Sequence, residues 1–482
     1  MKTLVGLLTL SLMLTVSVVF GQSTSRALNA NSFGFYGGGA RAMAMGNAFI
    51  GLADDISGGS WNPAGIYQLD KPAISVSYNM FTPKGEYRYN RDEYLINEIT
   101  PNDIQLNGIG HFSFVAPVRI KGHPWVFNLN FIRNNNSSFL RNMKTNPWSN
   151  LDPDDYLKSE SGMRTFNFGF STRLYDRLAI GVVANIYDAR EIVVDIERWA
   201  YDSVIYFDGT SINVKHENGV TDSIASSGFN FLIGTMYKMD KVSLGAVIRT
   251  PFQLKHNSDR LFEFLTTHQG LVYTAGSDTL FDDNNLSKQD LPLSIGFGVG
   301  LTPKENIKIT LDFNYDKYGS VSWFANDSTV ISPGGERTDY YSEIPIDWNN
   351  TFGVGSGIEY VLTSAFGQIP IRAGFRFNQL PTPKDFNQHT DIILDMDGND
   401  TGARNMLYTA SGRQNMTQFS VGSGIHWSQI RIDLTYRISS QTGWNRVDTE
   451  TDIDNPSQIK TISVQGNEPK SHEFNISFTG YF

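Results

Sequence analysis

From residue 72 to its end the chain returns again and again to strict alternation of large apolar with small or polar residues. Successive side chains of a β-strand point to opposite faces, so a period of two marks a strand whose faces meet different surroundings. In Ile307–Asp316 one face reads Ile307, Ile309, Leu311, Phe313, Tyr315 and the other Lys308, Thr310, Asp312, Asn314, Asp316. Trp125, Phe127, Leu129 and Phe131 flank Asn128 and Asn130; Phe166, Phe168 and Phe170 flank Asn167 and Gly169; Ile430, Ile432, Leu434 and Tyr436 flank Arg431, Asp433 and Thr435. One such run would suit a half-buried strand of a soluble sandwich. Its repetition demands an apolar exterior around a polar lumen, because lipid accepts only apolar side chains over ~25 Å of wall. No open sheet edge can face hydrocarbon, so the strands must close on themselves. The expected fold class is therefore all-β, a transmembrane antiparallel β-barrel.

The alternating runs fall at 72–82, 107–120, 124–134, 163–174, 178–190, 226–238, 241–256, 292–302, 306–319, 349–361, 369–378, 417–428, 429–438 and 470–482. They number fourteen, an even count of the kind single-chain bacterial barrels have. Short links such as 121–123, 175–177 and 239–240 alternate with long ones such as 135–162, 191–225 and 379–416. Short periplasmic turns and long outer loops make this rhythm. The long links hold turn-prone acidic runs, Asp152-Pro153-Asp154-Asp155 among them. The last strand ends on Phe482, with Phe474, Ile476 and Phe478 on the same face. That ending resembles the signal read by the outer-membrane barrel assembly machinery, an expected partner beside outer-membrane lipid.

Met1-Lys2, an apolar stretch from Leu4 to Phe20 and Gly21 before Gln22 read as a signal peptide over 1–21. The mature protein is then exported, and the barrel reading sends it to the outer membrane of a Gram-negative cell. Beyond residue 21 no apolar run approaches the ~20 residues of a spanning helix. Aromatic residues make up 13% and charged residues 18% of the chain; so many Phe and Tyr must be buried in protein or in lipid, which excludes general disorder. A net charge of -10 argues against a nucleic-acid partner. With no cysteine, no H-x-x-x-H pair, no Walker A loop and no G-x-S-x-G elbow, the chain offers no catalytic constellation, cofactor site or metal site. Asp395, Asp397 and Asp400 fail the EF-hand spacing.

Residues 22–71 do not alternate and are rich in Ala, Gly and Met; some fifty residues joined directly to a barrel would fit in its lumen. Here the sequence resembles the FadL/TodX family, which carries long-chain fatty acids and aromatic hydrocarbons across the outer membrane. The matching pieces are Gly39-Ala40-Arg41-Ala42-Met43 with Met45-Gly46, Ala48-Phe49 with Leu52-Ala53-Asp54-Asp55, and Trp61-Asn62-Pro63-Ala64-Gly65. Leu291-Pro292, Arg372-Ala373-Gly374-Phe375 and Pro381-Thr382-Pro383 extend the likeness over the mature chain. The resemblance implies three parts: a signal peptide (1–21), an N-terminal hatch (22–71) plugging the lumen, and a fourteen-stranded barrel (72–482). It implies passive uptake of a hydrophobic molecule that leaves sideways through the wall near the third strand. Carried over by residue, the hatch motif is Asn62, Pro63 and Ala64, and the candidate exit wall is Phe127, Asn128, Leu129, Asn130 and Phe131.

The residue types suit that task. A tail loses ~0.8 kcal/mol per CH₂ on leaving an apolar site for water, so a carrier needs an apolar track and a block to bulk water. Asn-Pro alone is an ordinary turn pair; in the family context Asn62 can satisfy backbone groups of a plug. Gly296, Gly298 and Gly300, Gly353, Gly355 and Gly357, and Gly422 and Gly424 repeat every second residue within strands. They read as room beside the hatch or as curvature, not as a phosphate loop. Inward Lys308, Asp312, Asp316, Arg372, Arg376, Arg431, Asp433 and Arg437 fit lumen ion pairs better than a charged eyelet, their signs being mixed. Two other functions stay open: a FadL-like barrel of the type IX secretion machinery, and a general porin. The intact Asn62-Pro63-Ala64-Gly65 favours transport. Fatty acids and aromatic hydrocarbons need the same apolar lining and are not told apart.

Overall fold

The computed structural model describes residues 37–84, 86–91, 94–101, 106–134, 139–142, 156–205, 211–268, 271–331, 337–346, 348–381, 389–394, 400–407, 414–442, 444–452, 459–466 and 470–482. The expected signal peptide, residues 22–36 of the expected hatch, and the acidic runs at 152–155 and 395–399 lie outside them.

Fourteen strands close into one antiparallel barrel. They are β1 (Ala73–Lys84), β2 (Leu106–Ile120), β3 (His123–Asn134), β4 (Tyr156–Tyr175), β5 (Leu178–Ile205), β6 (Ser211–Lys238) and β7 (Val242–Arg249). Then follow β8 (Ser294–Lys304), β9 (Ile307–Asp316), β10 (Thr351–Ser364), β11 (Gly367–Gln379), β12 (Asn415–His426), β13 (Ile430–Gln441) and β14 (Lys470–Tyr481). Each pairs with the next, and β14 returns to β1 with Tyr481 opposite Ala73 and Lys470 opposite Lys84. The N–H of Phe482 donates to Pro72 O at 2.9 Å, so the seam is tied at the short-turn end.

The wall is the inverse of a soluble core. Along β9, Leu311 is 54% exposed and Phe313 43%, while Thr310, Asp312 and Asn314 between them are 1–5% exposed. The same holds for Phe166 and Phe168 against Asn167. Cross-strand rings pack on the outer face, Phe131 with Phe166 at 5.3 Å and Phe375 with Phe419 at 5.1 Å. Tyr175, Phe366, Trp427 and Phe482 stand exposed at the short-turn rim, where an aromatic girdle meets a membrane interface.

Two expectations need correction. The run 241–256 is not one strand: β7 stops at Arg249, and Pro251, which has no N–H for the ladder, separates it from a strand at Phe252–His268. The long links are also largely strand. β5 and β6 each run 28 residues, and Phe252–His268 pairs with Leu271–Leu291. Segments 86–91, 94–101, 389–394, 400–407, 444–452 and 459–466, drawn from three separate outer links, form a second, six-stranded sheet. Away from lipid nothing forces alternation of hydropathy, so these strands carried no period-two signal.

Residues 37–71 pack against inward-facing residues of the wall. Helix α1 (Ala40–Ala44) is followed by two 3₁₀ turns, Ile56–Ser60 and Pro63–Gln68. Met45, Phe49, Leu52 and Trp61 cluster with Ala179 of β5 and Met236 of β6, and the Phe49 and Trp61 rings meet edge-on at 6.5 Å. Among the described residues this segment thus forms the main apolar cluster against the polar inner face, with smaller ones of Tyr318, Val321 and Trp348 and of Met163, Tyr187, Leu254 and Leu291.

Candidate functional site: the seat of the N-terminal segment

Asn62, Pro63 and Ala64 start the second 3₁₀ turn. Asn62 is fully buried. Its Oδ1 accepts from Ala64 N at 3.0 Å, while Nδ2 donates to Ile50 O at 2.9 Å and to Thr235 O of β6 at 3.0 Å. One side chain thereby caps its own turn, ties the preceding loop and anchors both to the wall. Pro63, with no N–H, suits the first position of the turn. Ser171 of β4 donates to Ala64 O at 3.0 Å.

The inward glycines are where the segment's backbone touches the wall. A Cβ on Gly357 would lie 2.5 Å from Met45 O, one on Gly422 2.5 Å from Ala44 Cβ, and one on Gly298 2.8 Å from Ile50 Cβ. Gly296, Gly300 and Gly355 also face the segment, whereas Gly353 and Gly424 face neighbouring wall residues. Gly181 and Gly245 make the same allowance for Ala64 and Asn62, and lay outside the glycine rows singled out in the sequence. The rows are a mould for an inserted chain.

Charge fixes the other side. Arg41 of α1 lays its guanidinium against Glu359 of β10, Nε to Oε2 at 2.8 Å and Nη2 to Oε1 at 2.9 Å, a bidentate pair. Its Nη1 also donates to Asp54 at 2.6 Å and Asp55 at 3.1 Å. Lys308 of β9 reaches Asp54 at 2.5 Å. Arg372 of β11 bridges Glu359 and Asp433, each at 2.6 Å, and His426 lies 2.9 Å from the same Asp433 oxygen. Burial alone would disfavour the Asp54 carboxylate, but Arg41 and Lys308 outweigh it and hold its carboxyl well below the usual carboxylate range. Burial likewise opposes the Arg41 charge, and Asp54, Glu359 and Asp55 more than restore it.

Of the inward charges read from the sequence, Lys308, Arg372 and Asp433 join this network and Arg437 pairs with Glu473. Asp312 accepts the N–H of Ile50 at 2.7 Å. Arg376 donates to Asn47 O at 3.1 Å and to Asn314 at 2.6 Å. Arg431 lies over the Tyr481 ring. Glu359 and His426 were missed, although Glu359 continues the inward row Gly353, Gly355, Gly357.

At the candidate exit wall, Leu129 points outward while Asn128 and Asn130 point inward and are 2% and 1% exposed. From Phe127 to Phe131 the ladder is unbroken on both sides, to Phe112–Ala116 of β2 and to Phe166–Phe170 of β4. A nearby irregularity is the register shift between β1 and β2 at Gly110. Asn130 opens a register row that continues through Asn167 and Asn185 to Asn230. Asn167 donates to Asn185, and Asn185 to Asn230 at 2.7 Å.

Comparison with known proteins agrees with this architecture. A family model described as outer membrane protein transport protein (OMPP1/FadL/TodX) matches residues 16–397. Among solved structures, the Pseudomonas putida toluene transporter TodX superposes with a TM-score of 0.58 at 13% identity, covering 92% of this chain and 99% of its own. The Ralstonia pickettii toluene transporter TbuX gives 0.55 at 12% identity over 93% and 100%. A Pseudomonas aeruginosa FadL homologue gives 0.54 at 14% over 92% and 98%. None of the curated proteins matches the sequence.

Proposed function

Because this chain belongs to the outer membrane protein transport protein (OMPP1/FadL/TodX) family, we propose that it carries hydrophobic molecules passively through its barrel, with residues 37–71 as the gate. The observation that carries this reading is the moulded seat. A general porin needs an open aqueous lumen, whereas here backbone is pressed into rows of wall glycines and locked by Arg41–Glu359 and Asn62–Thr235. Such a segment stops bulk water, and its apolar cluster of Phe49, Leu52 and Trp61, buried while the segment is seated, becomes a surface for a tail only as the segment shifts.

The substrate class follows from the same lining together with the relatives: aromatic hydrocarbons, as the names of TodX and TbuX indicate for those proteins, or long-chain fatty acids. Release is sideways, through the wall at Phe127, Asn128, Leu129, Asn130 and Phe131. With the ladder there complete, this state is closed, and release requires those pairs to part.

Uptake of labelled toluene and of a labelled long-chain fatty acid, by a host lacking its own carrier, tests the reading. Saturable uptake of either, altered in Asn62→Ala, is expected. No uptake from a correctly inserted barrel would overturn it.

A further inference from the structure

We propose that the lumen face of β2–β4, beneath the Ile56–Ser60 turn, is a hydrogen-bonding subsite for an uncharged hydroxyl on an otherwise apolar substrate. The inference rests on the transport reading above and names the substrate feature this barrel selects.

Both amide atoms of Asn128, Nδ2 of Asn130, Oδ1 of Asn167 and both ring nitrogens of His111 have no hydrogen-bond partner among the described residues. The four residues are 1–3% exposed. Native proteins leave few buried polar groups unpaired. While others, Thr310, Asp312 and Arg372 among them, stand on the β9–β13 side, these four residues lie on three adjacent strands. What covers them explains why. Gly59 lies over Asn128 and Asn130, where a Cβ would stand 2.7 and 3.1 Å from their amide nitrogens, and Gly38 lies over His111. A glycine has no side chain to offer a partner. On the opposite side, at β9–β13, the segment is tied by ion pairs and by Asp312 and Thr435. On the β2–β4 flank it is held by hydroxyls instead, Ser113 donating to Ile56 O at 2.9 Å and Ser171 to Ala64 O at 3.0 Å, and there it covers the unpaired amides. Lifting the 56–60 turn breaks the Ser113 bond and uncovers those amides.

The chemistry of the uncovered groups selects the ligand. Asn amides and an imidazole present donors and acceptors side by side without a fixed cation. A carboxylate would call for a cation, and a bare hydrocarbon satisfies nothing. A hydroxyl both donates and accepts. Two residues further out along the strands, about 6.6 Å, the next register row mixes His111 and Thr165 with the apolar faces of Ile132 and Tyr187, and Phe252 stacks on Tyr187 at 4.7 Å. An apolar body lies against those groups while its hydroxyl reaches Asn128 and Asn130.

The test compares p-cresol with toluene, which differ by one hydroxyl, in equilibrium binding to the purified barrel and in uptake by cells. Wild type is expected to prefer p-cresol by about tenfold, the worth of one hydrogen bond. In Asn128→Leu/Asn130→Leu the p-cresol-to-toluene ratio in equilibrium binding falls to near unity, whatever the change in uptake of either through the exit wall; Asn128→Leu alone serves if the double variant fails to insert. An unchanged preference in a correctly inserted variant, or none in wild type, overturns the subsite. Wild type that moves toluene without preferring p-cresol defeats the subsite and leaves transport standing. Selective p-cresol binding without uptake of either probe defeats transport and leaves the subsite standing.

Discussion

Arg41→Met removes the one cation that the described residues 37–71 contribute to their seat. Of the bonds lost, those to Asp54 and Asp55 lie within the segment and travel with it, so only the bidentate pair with Glu359 holds segment to wall. Glu359 keeps Arg372 at 2.6 Å, which limits the damage. Removing one partner of a buried ion pair costs about 3–5 kcal/mol, and the surviving Arg372 contact places this case near the lower end, about 3 kcal/mol. Charged to the seated state alone, that raises the unseated-to-seated ratio about a hundredfold, at 1.4 kcal/mol per decade. Single-channel recording in planar bilayers reads it as a rise in open probability. Glu359→Gln added to Arg41→Met neutralises both partners, and the double variant is expected to open less than the product of the single effects. If Arg41→Met inserts, shows normal heat-modifiable mobility and conducts like wild type, the pair does not hold the gate. Strict additivity of the two substitutions would sink the reasoning equally.

Other consequences are as direct. Gly357→Val puts a side chain where Met45 O lies 2.5 Å from a Cβ, so the segment unseats and protease cuts it in the intact barrel, while Gly424→Ala, which meets only wall atoms, leaves it protected. Leu311→Arg, on the lipid face, costs about 2–4 kcal/mol near the bilayer midplane and lowers the urea midpoint in vesicles; Leu311→Phe leaves it in place. The Asp54 carboxyl is held below its ordinary pKa of 3.8, so its contribution to the seat is complete above that value and is lost only as pH falls further toward the folded value. A conductance rise in strong acid that Asp54→Asn removes is therefore expected; a rise that this substitution leaves unchanged would assign the switch to another group.

The wall was legible because the bilayer writes it residue by residue: in β9 every side chain faces either hydrocarbon or the lumen, and Ile309 to Tyr315 show it without any knowledge of a partner. Where lipid stops, so does the code, which is why the outer strand residues 191–205 and 257–268 read as links. The seat was only half legible. Glycines at every second position announced that something lies close, but Arg41 and Glu359 are separated by 318 positions, and no local pattern joins them. The asparagine row was hidden for a related reason. Each Asn sits in its own alternating run, and only the register of β3 to β6 sets Asn130, Asn167, Asn185 and Asn230 side by side.

The seam between β1 and β14 joins the first wall strand to the last, with Ala73 against Tyr481. A ribbon of thirteen strands would expose two unpaired edges, and hydrocarbon tolerates neither. Closure therefore waits for the final dozen residues, and the highest-contact-order pairing in the molecule is also the one that completes it. Loss of a few residues from β14 is accordingly expected to abolish assembly as a whole instead of trimming one wall.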